Sequence, residues 1–361
     1  MRKRVVVGMS GGVDSSLTAC LLKEAGYEVI GATMRIWKES EGRKSLQGCC
    51  GATDVEDARR VAQQIGIPFY VMNLEEEFEK EVIHYFCEEY GRGRTPNPCI
   101  RCNEKVKFGS FLKKALGLEA DFFSTGHYAR LIFDERLGRY LLKKGVDRRK
   151  DQSYVLFSLT QEQFRHTLFP LGVHRKEEVR NKAFQLGLRV HDKPDSQEVC
   201  FIHEASYHSF LSGRLKETIE PGPMIDEKGN ILGQHKGIPF YTIGQRRGLG
   251  LAKGKPLYVI GIDREKNAIV VGGGEEVYRD TFLVDSVNWI ASEGAVSSLP
   301  AQVKIRYNHP GSEALLFPRG EDKVEVKFKS PQKAITPGQA AVFYDGETVL
   351  GGGWIREVLK S

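Results

Sequence analysis

No stretch of this sequence approaches the roughly 18 consecutive apolar residues that a membrane-spanning helix needs, which argues against a protein integral to a membrane. Low-complexity tracts and internal repeats are absent too, so fibrous, solenoid and largely disordered chains are excluded. No secretory leader is expected: Met1-Arg2-Lys3-Arg4 is basic, but the apolar run behind it is only Val5-Val6-Val7 before a glycine. That run reads as the first buried strand of a cytoplasmic protein. Seven cysteines is an odd count, in a chain large enough to fold without bridges, so a structural disulfide framework is not expected. Cys20 and Cys87 fall at helical packing positions, which leaves Cys49, Cys50, Cys99, Cys102 and Cys200 in segments read as loops. A large excess of one charge is also lacking, since 53 Lys and Arg face 47 Asp and Glu for a net +6. Two local concentrations, Lys143 to Lys150 and Arg246-Arg247 with Lys253 and Lys255, could favour a polyanion.

What is present is a βαβ rhythm over the first 130 residues. Short apolar runs at Val5 to Met9, Val29 to Met34, Phe69 to Met72 and Asp121 to Thr125 alternate with helical periodicity. Leu17, Cys20, Leu21 and Glu24 mark one helix; Thr53 and Glu56 stand in capping-box spacing ahead of Val55, Ala58, Val61, Ala62 and Ile65 in a second; Phe108, Phe111, Leu112 and Ala115 mark a third. This predicts an α/β domain with an open parallel sheet, covered on both faces and binding ligands beyond the carboxyl ends of its strands. After about residue 205 the pattern changes to short β runs between glycine turns, read as antiparallel, and from about 280 to a further small β-barrel or sandwich. The expected organisation is a catalytic α/β domain over 1–205, a central β-rich domain over 206–275 and a C-terminal β-barrel-like domain over 276–361.

Ser10-Gly11-Gly12-Val13-Asp14-Ser15 lies between the first strand and first helix, where glycines let backbone N–H groups approach a phosphate and the helix dipole favours an anion. No Gly-Lys-Ser/Thr follows, so it is not a Walker A loop, and its glycine spacing is not that of a dinucleotide fingerprint. The pattern resembles the loop of the PP-loop ATPases, or nucleotide α-hydrolases. The resemblance implies cleavage of ATP between the α- and β-phosphates and adenylation of a substrate oxygen. It further implies backbone contacts from Gly8, Met9, Ser10, Gly11, Gly12, Val13, Asp14 and Ser15, with Asp14 orienting Mg²⁺.

A second set of motifs narrows the resemblance. Thr95-Pro96-Asn97-Pro98-Cys99-Ile100-Arg101-Cys102-Asn103, Gly126-His127, Lys150-Asp151-Gln152-Ser153-Tyr154, Asp195 to Phe201 and Gly244-Gln245-Arg246-Arg247-Gly248, taken with the loop, resemble the bacterial tRNA-specific 2-thiouridylases along essentially the whole chain. The resemblance implies Cys102 as nucleophilic thiol and Cys200 as persulfide carrier, with Met34 and Gly126 at the nucleotide. It places Asn97, Pro98, Cys99, His127, Lys150, Asp151, Gln152, Arg306, Tyr307 and Gln339 at tRNA bearing a wobble uridine. The chemistry is coherent: O2 of uridine is a poor leaving group until it is bonded to AMP, and a sulfur nucleophile supplied by a donor protein or sulfide source can then take its place. One cysteine can hold the outer sulfur while the other resolves the S–S bond as a disulfide forms.

Cys99 departs from the pattern, since some members of the family carry an aspartate there. Cys99, Cys102 and Cys200 together could instead anchor a 4Fe–4S cluster with one iron open to sulfide. A thioredoxin-like reading of Cys99-Ile100-Arg101-Cys102 is weaker, because Asn97-Pro98 stands where a strand should lead into a helix, and a zinc site with Cys49 and Cys50 is weaker still. The nearest alternative activity is a PP-loop ligase joining an adenylated oxygen substrate to an amine, which needs no paired cysteines. A non-catalytic RNA-binding protein is the other class.

Overall fold

The computed structural model describes residues 2–36, 52–195, 199–202, 207–216, 219–251, 254–295 and 297–359. Two compact units divide the chain. The first comprises Met1–Val82, Cys99–His203 and Glu347–Val349; the second comprises Ile83–Pro98, Glu204–Gly346 and Leu350–Ser361. Residues 83–98 thus group with the second unit although they interrupt the first in sequence.

The first unit is built on a parallel sheet of β1 (Arg4–Gly8), β2 (Glu28–Arg35), β3 (Phe69–Asn73), β4 (Phe122–Ser124) and, after a β5–β6 hairpin (Ala129–Asp134 and Arg139–Lys144), the two-residue β7 (Thr167–Leu168). Their order is β3-β2-β1-β4-β7. Val5, Val6 and Val7 have no exposed surface, because β1 is the central strand and is covered on both faces; that is why it reads as a continuous apolar run rather than an alternation. Helix α1 (Val13–Glu24) lays Val13, Leu17, Ala19, Cys20 and Leu22 into this core, where Ala58, Val61 and Ala62 of α2 (Ala52–Ile65) join them. Because α2 begins at Ala52, Thr53 lies inside the helix rather than capping it, a correction to the capping-box expectation.

The strand order positions the site. After β1 the chain moves to β2 and β3 on one side, then returns to β4 on the other, so the loops leaving β1 and β4 diverge at their carboxyl ends. Such a topological switch opens a crevice at the sheet edge. Both Ser10–Ser15 and Thr125–His127 emerge there.

The segment bearing Cys99 and Cys102 differs from expectation. It is helical from Pro98, running through Pro98–Arg101, a wider-wound stretch Cys102–Phe111 and Leu112–Leu116. Pro98 occupies the first helical position, where its fixed φ and missing N–H cost nothing, so the proline read as a break is a helix start. The two cysteines therefore stand on a helix and not in a polar loop: Cys99 is exposed, whereas Cys102 is buried at 9% relative exposure. The same geometry removes the helix part of the objection to a thioredoxin-like turn; what precedes Pro98 is still no strand.

Within the second unit, strands Gly222–Ile225, Ile231–His235, Tyr258–Asp263 and Ala268–Gly272 form a four-stranded sheet around Met224, Val259, Ile269 and Val271. One of its pairings, Ile269 with Met224, is parallel, where antiparallel strands were expected throughout. Strands Tyr278–Trp289, Leu299–Lys304, Ser312–Pro318, Val324–Lys333, Ala340–Asp345 and Thr348–Val358 form a second sheet, in which the first strand pairs with both the fourth and the last. That double pairing closes a barrel and leaves no free edge among these strands.

Candidate nucleotide site and cysteine helix

The phosphate loop is held open by its own residues. Gly11 takes a left-handed φ of +72°, and a Cβ there would lie 2.2 Å from the Asp54 carbonyl oxygen, so only glycine lets α2 approach this closely. Ser10 N–H donates to Ser15 Oγ at 3.0 Å, folding the loop back on α1. The first bond of that helix runs from Ser16 N–H to Gly12 C=O, so the N–H groups of Val13, Asp14 and Ser15 precede the ladder and face the loop end of the dipole. Those are the donors an anion would use.

Beside the loop lies a cavity of about 180 Å³ lined by Gly8, Met9, Ser10, Asp14, Ser15, Thr33, Met34, Lys107, Phe111, Phe123, Thr125, Gly126, His127 and Gln152. It brings together most of the residues expected at the nucleotide and two, His127 and Gln152, expected at RNA. Gly126 is required by close approach: a Cβ there would stand 2.9 Å from atoms of Asp14 and Ser15. Gln152 Oε1 accepts from Tyr128 N–H at 3.0 Å. Asp151 accepts from the N–H groups of Gly145 and Ser153 and from Ser153 Oγ, so its carboxylate shapes the turn.

Asp14 does not stand alone. Lys176 Nζ donates to both its carboxylate oxygens at 2.7 Å, and Tyr128 Oη donates to Oδ1 at 2.6 Å. Burial and the adjacent Asp14 charge push the Tyr128 phenol far above its ordinary range, so it stays a donor. Sequence reasoning missed Lys107, Lys176 and Tyr128. The first two read as polar positions on helix faces, and no local pattern tells them from solvated lysines.

His127 is buried, with Nδ1 2.6 Å from Thr125 Oγ1 and its ring against Phe108 and Phe169. Burial, and then the charge of Lys107, hold its pKa well below 6.5. The imidazole is therefore neutral at neutral pH, able to exchange a hydrogen bond but not to pair with phosphate as a cation. On acidification the unfolded chain takes up a proton near pH 6.5 while the folded ring does not, so stability present above that pH is lost below it. The expected slope is about 1.4 kcal/mol per pH unit from this one group. Denaturant titrations between about pH 7.5 and about pH 5.5 should show a shallower loss in His127→Gln than in the wild type, and equal slopes would contradict the assignment.

Cys200 is half-buried, and its segment is anchored by the neighbouring Phe201, fully buried edge-on against Phe78 at 5.9 Å. Arg101, next to Cys102 in the chain, directs its guanidinium to Glu81 at 3.2 Å and Glu104 at 3.5 Å. Its charge is spent on carboxylates. Among the described residues no three His, Cys, Asp or Glu side chains converge as a metal site.

Family models cover nearly all of the chain: one described as tRNA methyl transferase HUP domain matches residues 3–204, one described as tRNA methyl transferase PRC-barrel domain matches 208–273, and one described as aminomethyltransferase beta-barrel domain matches 279–355. Curated relatives match end to end. The tRNA-specific 2-thiouridylase MnmA of Symbiobacterium thermophilum is 53% identical over 99% of this chain and 93% of its own, and MnmA 1 of Thermoanaerobacter sp. is 53% identical over 99% of both. MnmA of Clostridioides difficile is 50% identical over 99% of both. The chain belongs to the tRNA-specific 2-thiouridylase family.

The remaining residues that family resemblance singled out lie apart from the cavity lining. In the first unit Lys150 Nζ is 2.7 Å from Asp195, and Arg148 pairs with Glu347, so part of the basic run is already neutralised. In the second unit Arg306 donates to Lys333 C=O, Tyr307 has Lys304 Nζ 6.0 Å from its ring, and Gln339 Nε2 donates to Thr95 C=O at 3.0 Å and Pro96 C=O at 3.3 Å. Gln339 thus holds the backbone just ahead of Asn97 and Pro98. Cys49 and Cys50, Ser196 to Glu198, and Lys253 lie outside the described residues. No helix among the described residues is long and apolar enough to cross a membrane.

Proposed function

We propose that this chain uses ATP to replace O2 of the wobble uridine in tRNA by sulfur. The observation that carries the reading is the presence, in one compact unit of a 2-thiouridylase-family chain, of the glycine-built phosphate loop with its cavity and of both Cys102 and Cys200. The cavity adjoins the loop and has Met34 in its lining, which suits adenosine against Met34 with the phosphates lying along the loop. The N–H groups at the start of α1 would hold those phosphates, as the family pattern for Gly8 to Ser15 and Gly126 implies. The family resemblance assigns Asp14 to Mg²⁺, but Lys176 donates to both its oxygens and Tyr128 to one, so the carboxylate as it stands does not fit the ion and no step is routed through it.

In the first half-reaction the uridine O2 attacks the α-phosphorus, an O–P bond forms and pyrophosphate leaves. In the second, the Cys200 thiolate takes the outer sulfur from a persulfide on a sulfur-donor protein, whose own thiolate leaves, and the outer sulfur of the resulting Cys200 persulfide bonds to C2 as AMP departs. Cys102 thiolate then attacks the Cys200 sulfur, so that a Cys102–Cys200 disulfide forms and both electrons of the broken S–S bond stay on the sulfur now attached to C2. An external dithiol, or two thiols in succession, must reduce the disulfide for another turnover and is itself oxidised to a disulfide. Neither of these half-reactions needs iron.

His127, neutral in its buried setting, would recognise the nucleotide or flipped base by hydrogen bonding. Asn97, Pro98, Cys99, Lys150, Asp151, Gln152, Arg306, Tyr307 and Gln339 are assigned to tRNA on family resemblance, with phosphate contacts positioning the stem and a pocket reading the extruded base. Pyrophosphate release from ATP should depend on unmodified tRNA. Release with no tRNA dependence, or none in any condition with donor present, would overturn the assignment.

A further inference from the structure

Residues 193 to 195 meet the phosphate loop at two points. Lys193 Nζ donates to Gly11 C=O at 3.1 Å, Asp54 Oδ1 at 2.7 Å and Asp57 Oδ2 at 2.6 Å, which uses all three ammonium protons. Burial alone would lower its pKa, but hydrogen bonds to the two carboxylates outweigh that and raise it, so the cation persists. Two residues on, Asp195 takes Lys150 at 2.7 Å, Lys176 at 2.8 Å and Arg180 at 3.2 Å. Lys176 is the same lysine that donates to both oxygens of Asp14. One short stretch of chain is therefore tied directly to Gly11 and, through Lys176, to Asp14. Arg180 also donates to the C=O groups of His191 and Lys193, which fixes that stretch to the helix Lys176–Gln185.

Cys200 follows Asp195 by five residues. At full extension five residues reach roughly 17 Å, so the thiol-bearing backbone cannot lie farther than that from this anchor. Ion pairs exposed to solvent would contribute little, but here one carboxylate gathers three cations, two of which have other fixed partners, and the geometry is held by several bonds at once.

We propose that Lys193 and Asp195 are positioning residues that tie the Cys200 segment to the phosphate loop and so link the sulfur-transfer half-reaction to the adenylation half-reaction. Neither residue touches the reacting atoms. Loss of the Asp195 charge removes one partner of Lys176 but not its two bonds to Asp14, so the loop keeps that contact while residues 193 to 195 lose theirs. This rests on the function proposed above.

The test measures both half-reactions in single turnover, with persulfidated enzyme and saturating ATP and tRNA, for wild type, Asp195→Asn, Asp195→Glu and Lys193→Gln. Asp195→Asn should release pyrophosphate within about threefold of the wild-type rate while forming about tenfold less 2-thiouridine per pyrophosphate released. Asp195→Glu, which keeps the charge, should recover much of that ratio, and Lys193→Gln should lower the ratio and raise the KM for ATP about tenfold. Equal losses in both half-reactions, or an unchanged ratio in both Asp195→Asn and Lys193→Gln, would overturn the proposal. A wild type that performs neither half-reaction would instead overturn the thiolation reading itself.

Discussion

Cys102→Ser and Cys200→Ser should each abolish 2-thiouridine formation, by about a thousandfold or more, while tRNA-dependent pyrophosphate release survives. A serine hydroxyl cannot carry a sulfane sulfur, which removes the Cys200 role, and its oxygen is not a thiolate at neutral pH, which removes the resolving role of Cys102. The substitution is nearly isosteric, so Cys102, buried on its helix, can be replaced without opening a cavity. Two controls sharpen the result. Cys20 is buried on α1 and burial pushes its thiol up to about 11, so Cys20→Ser should thiolate normally. Cys99, exposed one turn before Cys102, should tolerate serine within about threefold if sulfur travels as a persulfide. A Cys99→Ser enzyme as inactive as the other two would return iron chemistry to consideration. Full thiolation by both Cys102→Ser and Cys200→Ser, read by mass spectrometry of tRNA nucleosides, would sink sulfur transfer and favour the PP-loop ligase.

The parts of this molecule that were legible in the sequence are those whose cause is local. Val5-Val6-Val7 reads as a central parallel strand because a strand covered on both faces has no polar alternation to keep. The glycines of the loop read as an anion cradle because their backbone freedom is the function. The parts that were not legible depend on distant partners. Lys176 and Lys193 are ordinary helix and loop lysines until folding brings Asp14, Asp54, Asp57 and Asp195 to them. Pro98 is ambiguous from sequence, since the same residue that ends a helix also starts one. Strand Thr348–Val358 hides behind Gly351-Gly352-Gly353, a run of poor strand formers. In the barrel a Cβ on Gly351 would lie 2.4 Å from the Asn288 carbonyl oxygen and one on Gly353 2.5 Å from that of Asp285, so close strand approach requires what propensity disfavours.

Gly11→Ala should lower kcat/KM for ATP by about a hundredfold or more and lower thermal stability as well. Two independent terms act. An alanine at the φ of +72° that Gly11 adopts meets the left-handed penalty of about 1–2 kcal/mol, and its Cβ would stand 2.2 Å from the Asp54 carbonyl, a backbone atom that cannot rotate away. Relief requires α2 to retreat or the loop to change course, and either displaces the Gly11 carbonyl from Lys193. Gly12→Ala separates phosphate binding from folding. Gly12 has φ −93°, and its added Cβ meets only Ser10 Oγ at 3.6 Å, an ordinary contact, so this variant should melt like the wild type. If the phosphates lie against the loop where α1 begins, the same methyl group stands in their way and the KM for ATP rises although the protein is fully folded. A Gly12→Ala enzyme with unchanged ATP kinetics would move the phosphates off this turn, and a Gly11→Ala enzyme with unchanged kinetics would remove the loop from the reaction.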